Sequence, residues 1–220
     1  METTLNKQKT IKLLSIYIPL FYLTWATYAI FIFSHLKDII YVGILVKLCL
    51  WTLPVCLIIH FVNKENILSN LKLGKANPKI VFPYLLLFGG IILIWNVSAS
   101  LFLYKKTFSF DRGYYSWIGA VVLIGFTEEI VFRGFILQNI KKLAKYNTAN
   151  ILTSILFVLI HFPGWYANGL FKNPPTVISS MLFIFSFSYL MGYAFKKTNS
   201  LWTCIFLHSL NNFITVGFGL

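Results

Sequence analysis

The sequence predicts an all-α protein: a polytopic transmembrane helical bundle of about seven spans with its chemistry in the last four. Three observations carry this. Of 220 residues, 58% are hydrophobic and only 11% charged, with a mean hydropathy of +0.75, whereas soluble domains carry about 25% charged residues. There is too little charge to cover a water-facing surface. The apolar residues also fall into runs close to the ~20 residues that cross ~30 Å of hydrocarbon. Finally, seventeen of the 19 Lys and Arg residues lie in tails and short loops between those runs.

This pattern excludes an ordinary cytosolic enzyme, a disordered chain and a secreted disulfide scaffold. A net charge of +13 would by itself suit nucleic acid. Its placement suits anionic lipid headgroups, so the bilayer is the expected partner and nucleic acid is not. Cys49, Cys56 and Cys204 all lie in apolar segments without metal-ligand spacing and read as packing residues.

The first span, 13–33, follows Lys7, Lys9 and Lys12. It is too long for a signal-peptide core and has no small-x-small cleavage site, so it reads as a retained anchor. The second and third are 39–62 and 80–103, and the fourth is 117–137. The fifth, 149–162, is short for a full crossing and ends at Pro163-Gly164, which predicts a tilted or irregular segment. The sixth and seventh are 176–195 and 201–218. Summed over alternate sides, twelve basic residues lie with the N-terminal tail and five, including Lys37, lie opposite. The positive-inside rule therefore places the N-terminus in the cytoplasm, in a multi-pass cell-membrane protein. With no linker, low-complexity tract or repeat, the chain divides only into three N-terminal spans, 1–116, and a four-span core, 117–220.

Glu128 and Glu129 lie in the middle of the fourth run. A charge at the bilayer centre costs at least about 2.5–3.5 kcal/mol, so both must face the bundle interior and have partners. Arg133 stands one turn after Glu129 in the favoured acid-first order. Glu129 thus reads as half of a structural ion pair. Glu128 points ~100° away around the helix and is left for chemistry; the bland alternative is a purely structural polar network. In the fifth run Phe157 precedes His161 by one turn, and in the seventh His208 precedes Asn212 by one turn. A lone intrahelical histidine is more often a helix-packing residue, so the coincidence carries the signal. Helical rise places Glu128, His161 and His208 about 16, 12 and 19 Å from one membrane face, compatible with a shared cavity. His35 and His60 read as interfacial, as do Tyr104, Tyr114, Tyr115, Trp117, Trp165 and Trp202. Lys47, eight residues into the second run, either snorkels or pairs with a carboxylate, a functional part being the lesser reading.

Hydrolysis uses all of these groups. Glu128 and His161 can orient and deprotonate a water, while His208 and Asn212 can donate to the oxyanion of an attacked peptide carbonyl. Equally, His161, His208 and Glu128 would serve as ligands if a divalent metal such as Zn2+ were bound. A proton-coupled transporter and a non-catalytic immunity or scaffold protein are the readings from other classes.

At these residues the chain resembles the type II CAAX prenyl endopeptidases and Abi bacteriocin-immunity proteins, the CPBP intramembrane proteases. That family's pattern is Glu-Glu-x-x-x-Arg, Phe-x-x-x-His and His-x-x-x-Asn on separate helices. Here it reads Glu128-Glu129 with Arg133, Phe157 with His161, and His208 with Asn212, in order and complete. The resemblance spans roughly 117–218. It implies a membrane endopeptidase in which Glu128 and His161 activate water, His208 and Asn212 stabilise the oxyanion, Glu129 and Arg133 support the site, and Phe157 borders the substrate. It further implies a membrane-associated peptide or protein substrate and a glutamate mechanism without a certain cofactor, although members are also labelled metalloproteases. The short Lys-, Asn-, Ile- and Phe-rich chain is similar to small bacterial members, for which peptide processing or self-immunity to a bacteriocin is implied.

Overall fold

A computed structural model describes residues 2–36 and 42–219. Lys37 and Ile39, the expected start of the second span, lie outside the described residues. Eight helices and no strand are found among those described: α1 Thr4–Ile32, α2 Val42–Val62, the one-turn α3 Ile67–Asn70, α4 Pro78–Leu103, α5 113–140, α6 Tyr146–Ala167, α7 Pro174–Thr198 and α8 Leu201–Phe218. Six of them are long and apolar enough to cross a membrane, and the chain is a multi-pass membrane protein. The helix that carries the fourth expected span, α5, runs unbroken over 113–140 and is not among these six.

Apolar side chains cover the outward faces, and the interior combines an apolar core with a set of buried polar groups. Leu23, Ile94 and Leu182 on the outward faces are more than half exposed, whereas Thr127, Glu129, Arg133, Ser154 and Thr203 are fully buried. Apolar side chains facing outward cost nothing in lipid, so the interior is free to hold the polar groups that lipid excludes.

Helix α8 packs against α4, α5 and α7, and α6 packs against α7. Only Asn199 and Ser200 separate α7 from α8, which makes the two helices antiparallel. Asn199 closes α7 in the left-handed region (φ 47°), a conformation that asparagine tolerates better than most residues. Close helix approach depends on glycines, Gly192 and Gly125 among them. A Cβ on Gly192 of α7 would lie 1.7 Å from Oδ1 of Asn150 on α6, and one on Gly125 of α5 would lie 2.9 Å from Oγ of Ser209 on α8.

The fifth expected span is longer than its hydropathy shows. It starts at Tyr146, turns at Ile160 and His161, and resumes as Phe162–Ala167. Pro163 sits in the first turn of the second piece, where its missing N–H costs nothing. At the break the Trp25 indole donates to the carbonyl of Ile160 at 3.0 Å, and the Tyr22 hydroxyl donates to that of Leu156. Helix α1 thereby pins the break. Across the bundle a line of edge-on rings runs from Phe21 through Trp51 and Phe132 to Phe157, joining α1, α2, α5 and α6 beneath the polar cluster.

Candidate active site

Glu128 and Glu129 occupy an α-helical stretch of α5, Gly125–Glu129, so their carboxylates diverge and find different partners. The i,i+4 pair expected from the spacing forms: Arg133 Nη1 donates to Glu129 Oε1 at 2.9 Å, both side chains being essentially inaccessible. The other guanidinium nitrogen donates to the carbonyl of Ser188 at 2.9 Å and to its hydroxyl at 2.8 Å. The plane lies 4.7 Å from the Phe157 ring centre. A planar fork with several donors suits this arrangement of three acceptors and a ring face, which a lysine could not satisfy.

Helix α8 brings in His208, whose Nδ1 lies 2.7 Å from Glu129 Oε1. A carboxylate paired with Arg133 accepts, so Nδ1 carries the proton and Nε2 is left facing Glu128, 3.9 Å from its Oε2. Gly125 makes this possible, because an ideal Cβ there would lie 3.6 Å from the His208 Cβ and 3.3 Å from the backbone nitrogen of Ser209.

His161 stands at the break in α6. Its Nδ1 is 2.7 Å from the carbonyl of Phe157. A carbonyl only accepts, so Nδ1 bears the hydrogen and Nε2 presents a lone pair. The Phe157 ring packs edge-on against both imidazoles, with centroids 5.2 Å from His161 and 6.1 Å from His208. Glu128 also interacts electrostatically with both histidines. Structure thus gathers Glu128, Glu129, Arg133, Phe157, His161 and His208 from three helices.

Asn212 is placed differently. Its amide donates to the carbonyl of Ala120, two turns before Glu128, at 2.8 Å. The contact ties α8 to α5 and leaves one amide hydrogen for other use. His35 is exposed, and His60 packs on neighbouring Phe61.

Glu128 is not the unpartnered acid that its helical position suggests. Lys47 Nζ on α2 lies 2.5 Å from its Oε1, and the same ammonium sits 4.6 Å from the Trp51 ring centre and 5.5 Å from that of Trp25. Trp51 is fully buried. Sequence reasoning underrated these three, though a signal existed. A lysine inside an apolar run needs an acid, and only two of the six acids, Glu128 and Glu129, lie within a run. Beside this pair is a half-open cleft of about 540 Å³ between α1, α2, α5 and the end of α6. Its walls are mostly apolar, and Lys47 and Thr127 are among the residues that line it.

Among the described residues, no group of three His, Cys, Asp or Glu side chains is placed to hold a metal ion. One oxygen of Glu128 already faces the Lys47 ammonium, which repels a cation at this carboxylate.

Residues 111–214 match the family described as Type II CAAX prenyl endopeptidase Rce1-like. No curated protein and no solved structure matches the chain.

Proposed function

Because residues 111–214 form a domain of the Rce1-like type II CAAX prenyl endopeptidase family, a family of intramembrane proteases, we propose that this chain hydrolyses peptide bonds of a membrane-associated peptide or protein. The observation that supports it is the division of labour between the two glutamates. Glu129 is buried and held by Arg133 and His208, while Glu128 has an oxygen directed toward His208 and lies beside the cleft.

In this reading Glu128, with the Nε2 lone pair of His161, takes a proton from a water as its oxygen attacks the substrate carbonyl. The carbonyl π electrons move to oxygen and give a tetrahedral oxyanion. His208, once it has taken a second proton from solvent at Nε2, donates it in a hydrogen bond to that oxyanion while Nδ1–H stays on Glu129. The acquired proton then passes to the leaving amine as the C–N bond breaks. Asn212 serves this step by holding α8 against α5, and its second amide hydrogen is its route to the oxyanion. Glu129 and Arg133 orient His208. Phe157 walls the site between the histidines.

The cytoplasmic N-terminus, the division into 1–116 and 117–220, and a role in bacteriocin processing or self-immunity belong to the same proposal. The test compares membrane proteomes of cells carrying the native chain, Glu128→Gln and Glu128→Asp. Termini present only with the native chain are expected, because a shortened acid no longer reaches the water. Identical termini in all three would end the hydrolase reading and favour a scaffold.

A further inference from the structure

We propose that Lys47 is a positioning residue for the reaction, holding the Glu128 carboxylate in its working orientation by an ion pair whose ammonium is itself fixed between two indoles. The proposal rests on the hydrolase reading and extends the site outside the 111–214 domain, to α1 and α2.

The geometry is specific. Glu128 has two carboxylate oxygens, and they are used differently: Oε1 faces Lys47 Nζ at 2.5 Å, and Oε2 is turned toward His208 Nε2 at 3.9 Å. Anchoring one oxygen fixes the carboxylate torsion, so that the other presents its lone pairs to the space between the histidines. Lysine is ordinarily a mobile anchor, a compact charge on a flexible four-carbon stem. Here Trp51, one turn along α2, lies under the ammonium at 4.6 Å and Trp25 of α1 flanks it at 5.5 Å. Ring faces attract a cation and hold it without competing as hydrogen-bond acceptors. Trp51 is locked by edge contacts with Phe21 and Trp25, each 5.0 Å between centroids. Trp25 is locked in turn by its hydrogen bond to Ile160, next to His161. One rigid unit therefore sets both Glu128, through Lys47, and the segment that carries His161.

The charges are also matched pairwise: Lys47 faces Glu128 and Arg133 faces Glu129, so each carboxylate has its own fixed cation. A merely structural lysine would be sealed in; this one keeps 15% of its side chain accessible and lines the cleft beside the site.

The test uses the full-length chain in membrane vesicles, with the Glu128-dependent terminus as readout. Lys47→Met is expected to lose about 100-fold of product formation, the scale of a misplaced catalytic group, and Lys47→Arg less than about tenfold. Lys47→Cys, made with Cys49→Ala and Cys56→Ala while buried Cys204 stays, is treated with 2-aminoethyl methanethiosulfonate. The introduced thiolate attacks the reagent's sulfenyl sulfur and expels methanesulfinate, leaving a disulfide-linked ammonium close to lysine in length. Recovery of at least about tenfold with this reagent, and none with neutral propyl methanethiosulfonate, is expected. Equal recovery with both reagents, or full activity in Lys47→Met, overturns the proposal. Thermal unfolding of Lys47→Met, Glu128→Gln and the double variant gives a readout that needs no substrate. The double variant should be more stable than the sum of the single losses allows, and strict additivity overturns the ion pair. If Glu128→Gln changes no terminus while this coupling is present, the hydrolase reading fails and the Lys47–Glu128 pair stands.

Discussion

Arg133→Met leaves Glu129 as a fully buried carboxylate with His208 as its remaining partner, and strips two hydrogen bonds from Ser188. Removing one member of a buried pair costs about 3–5 kcal/mol, because the surviving charge stays desolvated. For a chain of this size each kcal/mol moves the melting temperature by about 2–4 °C, so Tm in detergent micelles should fall by roughly 6–20 °C. Arg133→Met with Glu129→Gln should recover much of that loss, since a neutral amide still accepts from His208 Nδ1 and carries no stranded charge. Product formation should not recover with it, because Glu129 no longer orients His208 as an anion. The assay is paired thermal unfolding of the single and double variants under one detergent and pH. A single-variant loss below about 1 kcal/mol, the size of a solvent-exposed pair, would refute the reasoning. So would a double variant no more stable than Arg133→Met.

Two further outcomes follow from close helix approach. Gly125→Ala puts a methyl group 2.9 Å from Ser209 Oγ and 3.3 Å from its backbone nitrogen, so α8 must move and carry His208 with it; the Glu128-dependent product should fall by about tenfold or more, out of proportion to any change in Tm. Gly192→Ala meets Asn150 at 1.7 Å, which forces that side chain off its hydrogen bond to the carbonyl of Tyr189 and should cost about 1–3 kcal/mol. Adding Asn150→Ala to Gly192→Ala should return most of that stability in the same melt, and failure to do so would locate the strain elsewhere.

Much of the architecture was legible from local pattern. Hydropathy found the helices because lipid selects apolar residues over a set length. It fell short on one of them for a physical reason. On α6, Pro163 and Gly164 resemble a stop, yet proline is harmless in a first turn, and Trp25 takes up the carbonyl left at the break. On α5 the expected span, 117–137, lies inside one continuous helix, 113–140. The Glu129–Arg133 pair was readable because both ends lie on one helix at i,i+4. The partner of Glu128 was not readable that way. Lys47 is 81 positions away on another helix, and no periodicity reports which faces of two helices meet.

By itself the sequence determined that the chain is a helical membrane protein, that Glu128, Glu129 and Arg133 must be interior, and that three short motifs stand in family order. Each of these follows from the cost of polar groups in hydrocarbon or from spacing within one helix. Only the tertiary structure decided that His208 reaches Glu129 across the Gly125 contact, that Asn212 holds Ala120, and that Lys47 stands between two indoles against Glu128. Those outcomes depend on the rotation and distance between helices. Packing of side chains such as Gly125, Trp51 and Phe157 sets both, and no single segment contains that information.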